Sequence, residues 1–109
     1  MMKYKDKHGK THEIIFLQSM YTDSKERTAV FAFNKKTGEL HCDITINLPQ
    51  YQLKQDECIL SAEDPVLIEA MQQQGYLIFM NNDIIYDNKI YRRGRFTQKF
   101  KSQIDIKLA

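Results

Sequence analysis

Two histidines near the N-terminus stand at a spacing known from metal sites. His8 and His12 are separated by three residues, and on a helix this spacing would place both imidazoles on one face. Gly9 and the alternating run that follows predict a turn and a strand instead, where the two rings do not converge on one ion. No Cys-x₂-Cys or His-Glu-x-x-His pattern completes a ligand set. We therefore expect solvent-exposed turn histidines and no metal or other cofactor.

The other residue types used in catalysis do not form a recognisable constellation. His41 and Cys42 are neighbours on a predicted strand, so their side chains point to opposite faces and cannot form a thiolate–imidazole pair. The acid pairs Asp56-Glu57 and Glu63-Asp64 stand near a turn and a helix start, where capping explains them. The serines lack nucleophile-elbow glycines, and the glycines are too scattered to cradle a phosphate. We expect a protein that is not an enzyme.

Charge is distributed unevenly along the chain and is more informative than these motifs. Residues 1–10 carry a net charge of +3, residues 11–87 carry −7 and residues 88–109 carry +6, within a total of +2. Basic side chains interleaved with aromatic rings suit single-stranded nucleic acid, because cations contact phosphates and rings stack on bases. The residues that could bind in this way are Tyr91, Arg92, Arg93, Arg95, Phe96, Lys99 and Lys101.

Two other interpretations of this basic segment stay open. Its rings could pack inward in a hairpin while the lysines and arginines remain solvated. A polarised charge distribution also suits an acidic protein partner or self-complementarity. A dedicated nucleic-acid binder usually has a larger basic excess than +2. We therefore expect first a protein–protein interaction, self-association included, through the charge-polarised surface or a sheet edge. Nucleic-acid binding through residues 89–101 is the alternative.

The elements that position these residues are mostly strands. The clearest alternation places apolar residues on one strand face, with Thr45 on the solvent face, and this indicates an antiparallel sheet with one face on a core. The apolar set is Leu40, Cys42, Ile44, Ile46 and Leu48. Arg93-Gly94-Arg95 interrupts the strand pattern. Other predicted strands cover Met2–Asp6, Thr11–Tyr21, Thr28–Asn34, Glu57–Leu60, Tyr76–Met80, Ile84–Tyr86, Lys89–Arg92 and 104–108.

One helix is predicted around residues 62–74. Ser61 or Asp64 can cap its first amides, Pro65 is tolerated in a first turn, and Gly75 suits the position after the last turn. Val66, Leu67, Ala70 and Met71 would share the buried face. A helix among antiparallel strands and hairpins predicts an α+β fold, and 109 residues suffice for one domain over residues 1–109.

Compartment follows from what the chain lacks. No apolar run approaches the ~20 residues of a membrane span, and the first residues lack the apolar stretch of a secretory signal. We therefore expect a cytoplasmic protein without membrane contact. In that compartment the two cysteines, Cys42 and Cys58, should be reduced, partly buried and inert.

One short motif carries a family resemblance. Thr45-Ile46-Asn47-Leu48-Pro49 is followed by Leu53, by a helix ending at Gly75, and is preceded by the turn at residues 8–10. In this order of elements the chain resembles, over residues 8–105, a small uncharacterised bacterial domain family of accessory proteins from conjugative and other mobile elements. It departs from that pattern at residues 54–56 and after Tyr91. The resemblance implies a bacterial mobile-element accessory protein and carries over no catalytic residue.

Overall fold

The computed structural model describes residues 1–22 and 27–108, which form an α+β fold built mainly from antiparallel strands. Four strands of the first sheet follow chain order, and a fifth pairs in parallel with the second. These strands are β1 (Met2–Lys5), β2 (Thr11–Met20), β3 (Thr28–Asn34), β4 (Leu40–Asp43) and the terminal β11 (Ile106–Lys107).

The second sheet has the order β5-β6-β10-β7, and a two-stranded hairpin stands apart from both sheets. The strands of the second sheet are β5 (Thr45–Ile46), β6 (Glu57–Leu60), β7 (Leu77–Phe79) and β10 (Arg93–Phe96). The hairpin consists of β8 (Ile84–Tyr86) and β9 (Lys89–Tyr91), and the helices are α1 (Pro65–Gln73) and α2 (Gln98–Ser102).

The backbone of Ile44 links the two sheets. The Ile44 N–H donates to the Val30 carbonyl at 3.0 Å, and the Ile44 carbonyl accepts from the Ser61 N–H at 2.9 Å. Val30 belongs to the first sheet, and Ser61 follows directly on a strand of the second. The β4–β5 segment therefore passes from one sheet to the other at Ile44, which is fully buried.

Helix α1 lies where its sequence pattern predicts, although it begins at Pro65 rather than at residue 62. Asp64 is the cap, because its carboxylate accepts from the Leu67 N–H at 3.0 Å. The face that carries Leu67, Ile68 and Met71 is buried in the core. Gly75 follows the last turn with a φ of +83°, a conformation that glycine adopts without steric cost.

An aromatic cluster fills the core near α2. Phe16, Tyr76, Phe96 and Phe100 pack with ring centroids 4.6 to 6.4 Å apart. Helix α2, which the sequence pattern did not predict, turns Phe100 inward; its first turn is capped by the Thr97 hydroxyl. The second half of the basic segment is therefore anchored in the core.

The structure corrects several expectations about the strands. Leu40 belongs to the predicted core face but is 55% exposed. Thr45 lies on an inner face with 3% of its surface exposed, and its hydroxyl accepts from the Val30 N–H at 3.1 Å. The sheet crossing at Ile44 explains the difference, since both sides of the chain there face protein. Arg93-Gly94-Arg95 does not interrupt a strand but forms most of β10. Gly94 allows this because a Cβ there would lie 3.1 Å from Leu60 Cδ1.

No helix among the described residues is both long and apolar enough to cross a membrane.

The terminal strand is shorter than its alternation predicts, since only Ile106 and Lys107 pair, in parallel with Leu17 and Gln18.

Candidate interaction surface

The basic segment predicted from sequence is divided among three elements. Tyr91 ends β9, Arg93 to Phe96 form β10, and the two lysines lie on α2. Phe96 is 5% exposed and stacks on Phe100 at 4.6 Å. It therefore cannot stack on a base, whereas Tyr91 is half-buried and still accessible.

Most cations of the segment are held by nearby protein groups. Three of them pair with carboxylates: Arg93 with Glu57 at 3.2 Å, Lys101 with Asp56 at 2.8 Å and Arg92 with Glu69 at 3.5 Å. Lys99 Nζ donates to the Gln74 carbonyl at 2.7 Å. Arg95 is exposed, and strand alternation puts it on the same side of β10 as Arg93.

The hairpin β8–β9 exposes apolar side chains that the charge pattern did not indicate. Ile85 and Ile90 are directly opposite each other and are 70% and 67% exposed. Asp87 and Asn88 form the two-residue turn, with φ values of 52° and 61°, as a twisted hairpin requires. Ile84 anchors the base with 5% exposure, and the Tyr51 hydroxyl donates to the Ile85 carbonyl at 3.1 Å.

Beside this hairpin lies a groove, which we define by two adjoining depressions of about 250 and 570 Å³. Both are lined by Ser61, Ala62, Ile90 and Tyr91, so they form one continuous surface. The smaller depression reaches Pro65 and Ile68 on α1. The larger one reaches Ile46 and two carboxylates, Asp43 and Glu63, and it is also lined by Lys89 of β9.

The acidic end of the groove holds two carboxylates close together. The Asp43 N–H donates to Glu63 Oε2 at 2.6 Å. Burial raises the pKa of the Asp43 carboxyl above its usual value, and the nearby charge of Glu63 raises it further. Within the described residues, neither carboxylate forms an ion pair with a cation. A cation brought to this end would therefore relieve the repulsion.

A polar network that sequence reasoning missed links β1, β4 and α1. Tyr4 Oη, His41 Nε2 and Asp64 Oδ2 lie 2.6 to 2.8 Å from one another. The ring of His12 stacks on Tyr4 at 5.1 Å, and His12 Nε2 lies 2.8 Å from Asp6 Oδ2. His12 is therefore not an exposed turn residue, since its side chain is only 14% exposed.

This network holds its carboxylates charged and its tyrosine protonated. Burial is the largest influence on Asp64 and raises its pKa, but the hydrogen bonds from Tyr4, from His41 and from the first turn of α1 outweigh it. The pKa of Asp64 is lowered as a result. Burial, the hydrogen bond to Asp64 and its negative charge raise the pKa of Tyr4. The network therefore fixes the start of α1 against the first sheet.

Both cysteines are free and buried. Burial is the main cause that raises the pKa of Cys42 to about 12, and the carboxylates of Asp64, Glu63 and Asp43 add to it. Burial likewise raises the pKa of Cys58 to about 12. Neither thiol is activated as a nucleophile.

No protein-family model matches the chain, and comparisons with curated proteins and with solved structures find no match either.

Proposed function

We propose that this protein is a non-catalytic interaction protein, an accessory protein of a bacterial mobile element, which binds a partner segment in the groove beside hairpin β8–β9. The exposed pair Ile85 and Ile90 carries the proposal. Clustered apolar surface rimmed by polar residues is typical of protein interaction sites. A two-stranded hairpin is only marginally stable alone, so contact with a partner would stabilise it.

The chemistry of the groove favours one kind of occupant. Asp43 and Glu63 at one end attract a lysine or arginine. Ile46, Ile68 and Ile90 offer an apolar surface to a neighbouring side chain. The proposed occupant is thus an extended segment of another protein that presents a basic residue beside an apolar one.

Selection from a random peptide library on the immobilised protein tests this proposal. Peptides that carry a basic residue next to an apolar residue should be enriched. Ile90→Asp should abolish the enrichment, because it places a charge in the apolar surface. Ile106→Asp is the matched control, since Ile106 is also exposed but lies on β11. If both variants enrich the same peptides, or if the wild type enriches none, the proposal that the groove binds a partner segment is wrong.

The acidic end is tested separately with Glu63→Gln. This change should remove the preference for a basic residue while the preference for an apolar one remains. Analytical ultracentrifugation tests whether the groove is occupied by a second copy of this chain, since the sequence also favours self-association. If the protein dimerises and Ile90→Asp prevents it, the partner is a second copy of this chain.

Nucleic-acid binding through residues 89–101 is the alternative, and the exposed Arg95 beside Arg93 is the observation that supports it. Fluorescence anisotropy with single-stranded DNA and RNA at low salt discriminates the two functions. Micromolar binding that weakens steeply with salt and is reduced by Arg95→Gln would favour this alternative. Absence of micromolar binding would leave the partner-protein proposal.

A further inference from the structure

A cavity of about 490 Å³ opens between the β5–β6 connection, β10 and the segment after β7. Its polar lining consists of Arg27, Gln52, Lys54, Glu57, Asn82 and Arg93. None of these residues lines the groove beside hairpin β8–β9. The volume lies within the range of small-molecule sites.

The cavity carries an excess of positive charge. Glu57 is its one acidic lining residue, and its side chain is only 6% exposed. Glu57 Oε1 accepts from Arg93 Nη2 at 3.2 Å and from the Lys54 N–H at 2.8 Å. One carboxylate therefore faces three cationic side chains, which leaves the lining with a net charge of +2.

Neutral groups hold one of these cations in place. Arg27 Nη1 donates to the Leu48 carbonyl at 2.8 Å and Nη2 to the Pro49 carbonyl at 3.4 Å. Carbonyls orient the guanidinium but do not neutralise it. Among the described residues, no carboxylate forms an ion pair with Arg27 or Lys54. Within residues 1–22 and 27–108, the charge of Arg27 is thus oriented by carbonyls and is not neutralised by an ion pair.

Arg93 is incompletely satisfied by protein groups. Its side chain is 20% exposed, and its Nε–H is buried without an acceptor within the described structure. Guanidinium groups bind the oxygens of phosphates through directed, charge-assisted hydrogen bonds. Two arginines and a lysine around one cavity match a compact dianion better than a single carboxylate.

We propose that this cavity binds a small phosphate monoester, with Arg27, Lys54 and Arg93 as the cationic contacts. Gln52 and Asn82 also line the cavity, and side-chain amides of this kind can donate to the rest of such a molecule. This site is independent of the groove, so either proposal can fail while the other stands.

Isothermal titration calorimetry with inorganic phosphate and with glycerol 3-phosphate tests the site, and acetate serves as the monoanion control. Both phosphates should bind saturably and acetate should not. Lys54→Gln should weaken the binding of phosphate by about threefold or more, as expected for loss of one partly exposed charge contact. Lys36→Gln is the matched control, because Lys36 is also exposed but lies in the β3–β4 turn.

Amide chemical shifts locate the binding and guard against indirect effects of substitution. In the wild type, phosphate should shift the amides of Lys54, Glu57 and Arg93. No saturable binding, equal weakening in both lysine variants, or shifts elsewhere would overturn the proposal. An oligonucleotide without a terminal phosphate carries only phosphodiesters. If it binds more strongly than inorganic phosphate and glycerol 3-phosphate, the proposal is also overturned and the nucleic-acid alternative is favoured.

Discussion

At the scale of single residues, polar groups at strand crossings determine more of the structure than the alternation pattern indicates. Thr45 shows this, because its hydroxyl accepts from the Val30 N–H and lies 2.8 Å from the Tyr21 hydroxyl. Position 45 reads as solvent-facing in the alternation, yet its oxygen satisfies a backbone donor in the interior. Its neighbour Ile44 is buried as the same pattern predicts.

Thr45→Ala should therefore destabilise the protein by about 1–3 kcal/mol, because it leaves the Val30 N–H buried and unpaired. Thr45→Ser keeps the hydroxyl and should cost less. Ile44→Ala should cost about 2–5 kcal/mol through lost burial and the cavity left behind. Urea unfolding measures all three. A Thr45→Ala variant as stable as the wild type would contradict the role of this hydroxyl.

Asp6 predicts a stability change at acid pH. The hydrogen bond from His12, followed by backbone hydrogen bonds from Lys10 and His8, lowers the pKa of Asp6 to about 2. Because the folded protein binds this proton less readily than the unfolded chain, the contribution is complete above about pH 4. It is lost as the pH falls toward 2. Thermal melts of Asp6→Asn should show a shallower loss of stability between pH 4 and 2, and an unchanged slope would contradict this.

At the scale of elements, local signals locate α1 well. Asp64, Pro65 and Gly75 mark its two ends, and each acts through its own backbone neighbours. Gly75 is the sharper test, since a Cβ there would meet only the Lys99 side chain at 3.7 Å or more. Any cost of substitution at this position therefore comes from the backbone conformation rather than from crowding.

Gly75→Val should destabilise the protein by about 1 kcal/mol or more, because a β-branched residue is strained at positive φ. Gly75→Asn should be milder, since asparagine tolerates this conformation. Thermal or chemical unfolding compares the two variants. Equal effects would indicate that strain at position 75 does not limit stability.

The elements that sequence missed depend on contacts between distant residues. The Tyr4–Asp64 hydrogen bond spans 60 positions and the Tyr4–His41 contact spans 37, so no local pattern could indicate them. Strand β10 was not predicted because charged residues flank Gly94. The reason for a glycine at this position is the close approach of Leu60 from the neighbouring strand, which the local sequence does not indicate. The exposure of Ile85 and Ile90 on hairpin β8–β9 could not be predicted either, because an apolar pair in a strand is typical of a buried face.

At the scale of the whole molecule, the fold recombines charges that the sequence separates. The basic C-terminal segment forms ion pairs with acidic residues from the middle of the chain. These pairs are Arg93–Glu57, Lys101–Asp56 and Arg92–Glu69. The N-terminal ammonium in turn reaches Asp105 at 2.8 Å. These ion pairs therefore partly neutralise in space the charge that is polarised along the chain.

The sheet crossing at Ile44 makes the opening of the two sheets interdependent. This residue gives its N–H to one sheet and its carbonyl to the other, so neither sheet can separate there without disturbing the backbone that the other uses. Native-state hydrogen exchange should therefore show the amides of Ile44 and Ser61 exchanging with the same free energy as the central amides of β3 and β6. The exchange of one sheet well before the other would mean that the crossing does not couple them. If they exchange together, a ligand that stabilises either sheet slows the opening of both.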